Sequence, residues 1–205
     1  MYFDVIAFFS GLGTGLGLII GIGAQNAFVL KQSILQNHQY IIAAICMIID
    51  AILIAAGVGG LGVVLTSNKL LLEFSRFGGA LFLGYYGFKS FRNSMHNESM
   101  RLDLDSKKIS LRQAVITTLA LSLLNPHVYL DTCLFIGSIG AQFQEHERGS
   151  FAAGAMLSSV VWFAGLSHFS KYLIPLFQKT VFWKILDVLI GAVMWFLAGY
   201  LVFGL

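Results

Sequence analysis

Two aspartates interrupt long apolar runs of this chain of 205 residues. Asp50 lies in the run that begins at Tyr40, and Asp131 lies in the run that follows Asn125. A carboxylate at the centre of a membrane helix costs at least about 2.5 kcal/mol. No Lys or Arg lies within ten residues of either aspartate. The pattern therefore predicts either neutral, hydrogen-bonded acids or carboxylates that receive a cation or a proton from outside the protein.

Side-chain amides lie beside two further interruptions of apolar sequence. Gln25 and Asn26 follow a glycine-rich stretch that ends at Gly23, and Asn125 precedes Pro126. Proline lacks the N–H that would bond the carbonyl four residues earlier, so it breaks a helix. Amides inside a membrane need partners, which a neighbouring helix can supply. Structural bonds between helices and contacts with a substrate both remain open for these residues.

Other spacings have plainer explanations beside the functional ones. His127 and Asp131 share a helix face at a separation of four residues, which allows either a proton relay or a bond that satisfies the carboxylate. Asp187 has Lys184 three residues before it, which predicts a local ion pair at the membrane interface.

The glycines of the first apolar run predict close helix packing. Gly13, Gly17 and Gly21 are spaced four residues apart and lie on one helix face. Small residues with this spacing let two membrane helices approach closely. Unwound backbone near Gly21 to Gly23 is the functional alternative, since such backbone can contact a ligand.

The composition is that of a membrane protein. Hydrophobic residues make up 57% of the chain and charged residues 11%, whereas soluble domains carry about 25% charged residues. Spans of about 20 residues cross a bilayer as helices. The sequence predicts an all-α protein with six such spans: Phe3–Leu30, Tyr40–Leu65, Leu70–Phe91, Ala114–Gly140, Phe151–Leu176 and Val181–Phe203.

The polar stretch at 93–110 divides this single transmembrane domain into two groups of three spans, residues 1–92 and 111–205. An odd number of spans in each half places the halves in opposite orientations, as in many transporters built from inverted repeats. Ten of the 13 Lys and Arg residues lie in or beside the odd-numbered connections. This bias predicts that those connections face the cytoplasm.

Two enzymatic or redox classes also use the residue types seen here. An intramembrane aspartyl protease needs two close carboxylates that share a proton, but the chain lacks a Gly-x-Gly-Asp stretch. A thiol–disulfide electron carrier needs paired, accessible cysteines, whereas Cys46 and Cys133 lie in the second and fourth spans. Small buried hydrophobes are the simpler interpretation of both cysteines.

Four motifs, together with Asp50, resemble the LysE family of bacterial exporters of basic amino acids, and its arginine-exporting branch most closely. They are Gly23-Ala-Gln-Asn-Ala-Phe-Val-Leu, Gly84-Tyr-Tyr-Gly-Phe, Leu124-Asn-Pro-His-Val-Tyr-Leu-Asp and Gly191-Ala-Val-Met-Trp-Phe. The resemblance runs from about Gly11 to Phe196. The family usually has proline where this chain has Ala24, so a softer break of the first span is expected.

The resemblance implies a multi-pass protein of the bacterial inner membrane that exports L-arginine, with L-lysine or toxic analogues as further substrates. It implies that Asp50 and Asp131 are important for transport and meet the guanidinium or ammonium group. The other binding candidates are Gln25, Asn26, Asn125, His127 and Tyr129. Exchange against protons is the expected coupling, and export of neutral amino acids or metal ions is the alternative. The expected partners are the bilayer and a basic amino acid, with no cofactor, resident metal or nucleic acid; homo-oligomerisation is left open.

Overall fold

A computed structural model describes residues 3–20, 23–61, 69–95, 108–125, 128–175 and 180–203 of the protein. All regular secondary structure within these residues is helical. The α-helices within these residues are α1 Val5–Ile19, α2 Ala24–Ile34, α3 Gln39–Ala56, α4 Lys69–Met95, α5 Leu111–Leu123, α6 Ile136–Gly140, α7 Arg148–Phe169 and α8 Thr180–Phe203. Shorter segments are a kinked turn at Gly57–Leu61, in which Gly60 has a φ of 88°, a π-helix at Tyr129–Phe135 and a 3-10 turn at Ser170–Leu173.

Described helical segments overlap each of the six predicted spans, with two of them in Phe3–Leu30 and three in Ala114–Gly140. Three continuous helices are long and apolar enough to cross a bilayer, namely Gln39–Gly60, Arg148–Leu173 and Val181–Phe203. The pair α1 and α2 qualifies together as a fourth span that is bent by 83°. The chain is therefore an all-helical membrane protein. Its arrangement as six spans in two inverted halves stays a prediction.

The first span is interrupted where its glycines and amides predicted a break. α1 ends at Ile19, and Gly23 caps the start of α2. Ala24, which replaces the family proline, is the first residue of α2. Proline is favoured at this helix position because the N–H there has no partner within the helix. Alanine can occupy the same position, so its presence leaves the break in place.

Helices α1 and α7 pack with their backbones almost in contact. Gly11 and Gly15 of α1 are buried, and Gly154 of α7 is buried opposite them. A Cβ atom on Gly11 would overlap the carbonyl oxygen of Phe151, and one on Gly154 would overlap that of Phe8. Only glycine at these two positions permits the observed approach.

The glycines that the sequence singled out for packing are not the ones that pack. A Cβ atom on Gly13 or Gly17 would meet nothing within 4 Å among the described residues. The prediction was therefore wrong for these two positions, while Gly21 lies outside the described residues. Glycines spaced by four residues occur twice along α1, in two registers. Spacing alone does not say which register faces another helix.

Alanine substitutions along α1 and α7 should separate the two registers. We expect Gly11→Ala and Gly154→Ala to destabilise the protein by about 1–3 kcal/mol, because the new methyl group collides with backbone. Gly13→Ala and Gly17→Ala are the matched controls, and they should leave stability unchanged or raise it, since alanine favours a helix. Thermal unfolding of the purified protein in detergent measures the difference. Equal losses at all four positions would contradict this packing.

A second close approach joins Gly57, at the end of α3, to the Tyr129–Phe135 segment and to α6. A Cβ atom on Gly57 would lie 2.5 Å from the carbonyl oxygen of Cys133, and one on Gly137 would lie 2.6 Å from the carbonyl oxygen of Gly57. The segment Tyr129–Phe135 thereby lies directly against the end of α3. Short π-helical stretches are frequent at functional sites.

A hydrophobic cluster and a pair of loop hydrogen bonds hold the other helices together. The main hydrophobic cluster draws its buried side chains from α2, α3, α4, α5, α7 and α8. Asn37, in the loop after α2, accepts a hydrogen bond from the N–H of Ile109 at 2.9 Å and donates to its carbonyl at 3.3 Å. The end of the predicted 93–110 linker is therefore fixed to the first half of the chain. α4 continues to Met95, and residues 96–107 lie outside the described residues.

Candidate substrate site

Asp50 is buried near the middle of α3 and has a neutral partner. The residue is 5% exposed. Ser159 on α7 donates from Oγ to Asp50 Oδ2 at 2.6 Å. Within the described part of the chain, no Lys, Arg or His forms an ion pair with this carboxylate. A single hydroxyl leaves most of the acceptor capacity of a carboxylate unused.

Polar side chains from two other helices gather one helical turn away from Asp50. Cys46 precedes Asp50 by four residues on α3, and the side chains of Gln25 on α2 and Ser122 on α5 adjoin its thiol. Gln25 Nε2 and Ser122 Oγ are buried, and apart from their contact with the weakly accepting sulfur of Cys46 they have no hydrogen-bond partner among the described residues. A buried polar group without a partner costs about 1–3 kcal/mol. This cluster is therefore a candidate for contact with a ligand.

Asn26, the neighbour of Gln25, has structural partners instead. Its Nδ2 donates to the carbonyl of Ile19 at 2.7 Å, across the break between α1 and α2. Its Oδ1 accepts a hydrogen bond from Trp162 Nε1 on α7 at 3.1 Å. The side chain thus ties the bent first span together and holds it to α7. A direct substrate contact of Asn26 stays a prediction.

The second interrupted span places two more candidates at the end of α5. Asn125 follows this helix, and its carbonyl accepts a hydrogen bond from the N–H of Val128 at 3.1 Å. Tyr129 donates from Oη to the carbonyl of Leu123 at 2.7 Å, which occupies one of the free carbonyls at the helix end. His127 and Pro126 lie outside the described residues. The proposed His127 relay therefore stays a prediction.

The segment that carries Asp131 packs against the helix that carries Asp50. Tyr129 and Cys133 lie in one cluster with Ile49 and Leu53 of α3. The Cys133 thiol also donates to the carbonyl of Leu53 at 3.2 Å. Asp131 belongs to the described π-helix Tyr129–Phe135, but its side chain lies outside what the structure describes. The backbone positions of both predicted aspartates are thus on contacting segments.

Sequence reasoning named Asp50 and Gln25 but missed their neighbours Ser122 and Ser159. Serine is common in helices, where its hydroxyl can bond the preceding turn. Nothing in the spacing of Ser122 or Ser159 separates them from the other serines and threonines of α5 and α7. Only the packing of these helices around α3 brings their hydroxyls into the site.

Comparison with known proteins decides the class of this protein. The family model described as LysE type translocator matches residues 16–204. The chain belongs to the LysE family. It is 40% identical over 194 residues to the provisionally named amino-acid transporter YggA of Aeromonas salmonicida, covering 95% of this chain and 94% of that protein. No solved structure matches it.

Two further LysE-family relatives are named arginine exporter protein ArgO. The protein of Escherichia coli strain K12 is 36% identical over 191 residues, covering 93% of this chain and 90% of the relative. The protein of Klebsiella pneumoniae strain 342 is 37% identical over 194 residues, with the same two shares. The LysE-family chain is accordingly a transporter and not an enzyme, and it is a multi-pass protein of the inner membrane. The aspartates therefore do not indicate a protease.

The LysE-family chain also holds a buried ion pair that its sequence did not indicate. Lys31 of α2 and Asp187 of α8 form a salt bridge, and the two residues are 9% and 5% exposed. The sequence predicts instead that Asp187 pairs locally with Lys184 at the membrane interface. That interpretation was wrong, because the partner of Asp187 lies 156 residues away in sequence.

Substitutions of Lys31 and Asp187 should show what this pair contributes. Lys31→Met leaves the Asp187 carboxylate buried without its cation, and we expect a loss of stability of about 3–5 kcal/mol. The double variant Lys31→Met/Asp187→Leu removes both charges and should recover most of that loss, since apolar pairs replace buried ion pairs well. Thermal unfolding in detergent measures both effects. A single variant as stable as the unaltered protein would contradict a buried pair.

Proposed function

We propose that this LysE-family protein exports L-arginine across the inner membrane, with L-lysine and toxic analogues as further substrates, in exchange for protons. The printed names of the relatives support arginine, since two of those described above are arginine exporters. The observation that carries the proposal is the buried Asp50 carboxylate, which has Ser159 as its hydrogen-bond donor and no ion-pair partner in the described part of the chain.

The charges of the substrate suit the charges that the protein offers. Arginine carries two cationic groups and one carboxylate at neutral pH. Asp50 and Asp131 provide two negative charges on contacting segments, and carboxylates pair strongly with guanidinium and ammonium groups. Gln25 and Asn125 lie at the two interruptions of the spans and complete the proposed site. Asn26 supports it by holding α2 to α7.

The membrane potential favours exchange over simple release. Moving one positive charge outward against an inside-negative potential costs about 2.3 kcal/mol per 100 mV. Inward movement of one proton for each arginine cancels that charge. A carboxylate that binds either the amino acid or a proton couples the two movements, because it cannot hold both cations at once. Asp50 is the residue proposed to alternate between them.

We also propose that six spans form two inverted halves around this site. Interrupted spans begin both halves, as α1–α2 and as α5–α6. Several contacts fit this symmetry, because the interrupted span of each half packs against the second span of the other half. α1 and α2 both contact α7, and correspondingly α5 and the Tyr129–Phe135 segment both contact α3. Interrupted helices in matching positions are typical of transporters with a site near the middle of the membrane.

Alternative cargoes predict different outcomes in a competition assay. A neutral amino acid or a metal ion would have to compete with labelled arginine if either were the true substrate. An electron carrier would need accessible cysteines, whereas Cys46 and Cys133 are both free and buried. The buried carboxylate without a protein cation favours the basic amino acid over these.

Inverted membrane vesicles test the proposal, because export then appears as uptake into the vesicle. We expect an acid interior to drive uptake of labelled L-arginine when the potential is clamped at zero. Asp50→Asn should reduce this uptake more than about tenfold, since loss of a buried charge pair costs 2–5 kcal/mol. Normal uptake by Asp50→Asn would contradict the role of Asp50, and uptake independent of the pH gradient would contradict proton exchange.

A matched pair of serine variants controls for damage to the helix packing. Ser159→Ala removes the hydroxyl that donates to Asp50 and should change the rate or the pH dependence of uptake. Ser158→Ala removes a neighbouring hydroxyl on α7 that bonds the carbonyl of Ala155 at 2.6 Å. It should leave uptake unchanged. Both variants should reach the membrane in normal amounts.

A further inference from the structure

The unpartnered side chains beside Asp50 are donors, whereas Asp50 itself is an acceptor. Gln25 Nε2 carries two N–H groups, and Ser122 Oγ carries one O–H group. Both atoms are buried, and apart from the weakly accepting sulfur of Cys46 neither has a hydrogen-bond partner in the described residues. Both side chains adjoin Cys46, one helical turn from Asp50. The amide nitrogen of Gln25 can only donate, so a ligand that satisfies both this nitrogen and Asp50 presents an acceptor close to a cation.

The three helices that supply these groups contact one another. α2, α3 and α5 are in contact in all three pairings. Ala24, Cys46 and Leu121, which neighbour or belong to the cluster, are buried in the same hydrophobic core. The two donor side chains, Gln25 and Ser122, therefore lie together where the two interrupted spans approach α3.

A guanidinium group alone does not satisfy this arrangement. It offers five N–H donors and no acceptor, so it can pair with Asp50 but leaves the N–H groups of Gln25 unbonded. The backbone end of an amino acid has an ammonium group and a carboxylate on the same carbon atom. The carboxylate would also meet the start of α2, where Gly23 provides no capping side chain, and helix starts favour anions.

We propose that Asp50, Gln25 and Ser122 form the subsite for the α-ammonium and α-carboxylate groups of the substrate. The inference rests on the proposed transport of an amino acid, and it assigns Asp50 to the backbone end rather than to the guanidinium. The side-chain cation then falls to another group, for which Asp131 is the remaining candidate. Such a subsite binds the α-ammonium and α-carboxylate groups that arginine and lysine share. Selection of a basic side chain then takes place outside this subsite.

Ligands with and without an α-carboxylate test this assignment. Isothermal titration of the detergent-purified protein would compare L-arginine with agmatine and L-lysine with cadaverine, in which the carboxylate is replaced by hydrogen. The unaltered protein should bind each acid more tightly than its amine. Gln25→Leu and Ser122→Ala should each weaken both acids by about tenfold, the equivalent of one lost hydrogen bond, and should leave the amines unchanged.

Replacement of the donor by an acceptor separates recognition from packing. Gln25→Glu keeps the size of the side chain but replaces its N–H groups with carboxylate oxygens. It should weaken L-arginine and strengthen agmatine, a pair of opposite changes that general damage to the fold does not produce. Ser167→Ala, which removes another buried hydroxyl without a described partner, is the control and should change neither ligand.

The possible results distinguish this subsite from the transport function. Equal losses for acids and amines, or no loss with either Gln25 or Ser122 variants, would overturn the subsite while vesicle uptake of arginine upheld the exporter. A carboxylate-dependent difference in binding without any arginine uptake would support the subsite and overturn arginine export. The same titration with L-leucine and isoamylamine would then show whether the subsite also binds the α-ammonium and α-carboxylate groups of a neutral amino acid.

Discussion

The interior of a membrane protein has little water to solvate a charge, so each buried ionisable group needs a partner from the chain or from a ligand. Two buried aspartates of this protein meet that requirement in different ways. Asp187 has a cation of the protein itself, Lys31, while Asp50 has the hydroxyl of Ser159. The first arrangement is complete in charge, whereas the second still lacks a positive charge. That contrast is the physical basis for the proposal that a transported cation binds at Asp50.

The interruptions of the first and fourth predicted spans create the same need for partners, in this case for polar groups of the backbone. Helix ends leave N–H and carbonyl groups without partners inside the helix. Asn26 takes up the carbonyl of Ile19, and Tyr129 takes up that of Leu123. Side chains close to each break thus stabilise it. Gln25 and Ser122 take no part in these bonds, so they can contact a ligand beside Asp50. Stabilising groups and candidate binding groups lie next to one another in sequence.

Close packing of glycines brings these elements together. α1 approaches α7 through Gly11 and Gly154, and the end of α3 approaches the Asp131 segment through Gly57 and Gly137. Both contacts place a predicted interrupted span against a continuous helix. A side chain at any of these positions would move the helix that supplies part of the site. The geometry of the site is therefore tied to residues that carry no chemistry of their own.

The sequence by itself determined the membrane class and the positions of the helical segments, and it selected Asp50 as a candidate site residue, because these follow from local hydropathy and from the cost of a charge among apolar residues. It also indicated both interruptions, since glycine, proline and amides break apolar periodicity locally. It could not select Gly11 over Gly13, because both registers have the same spacing and only the facing helix distinguishes them. It missed the Lys31–Asp187 pair and the serines beside Asp50 for a related reason. Partners that are more than a hundred residues apart meet only through the packing of helices, and that packing is decided by the tertiary structure.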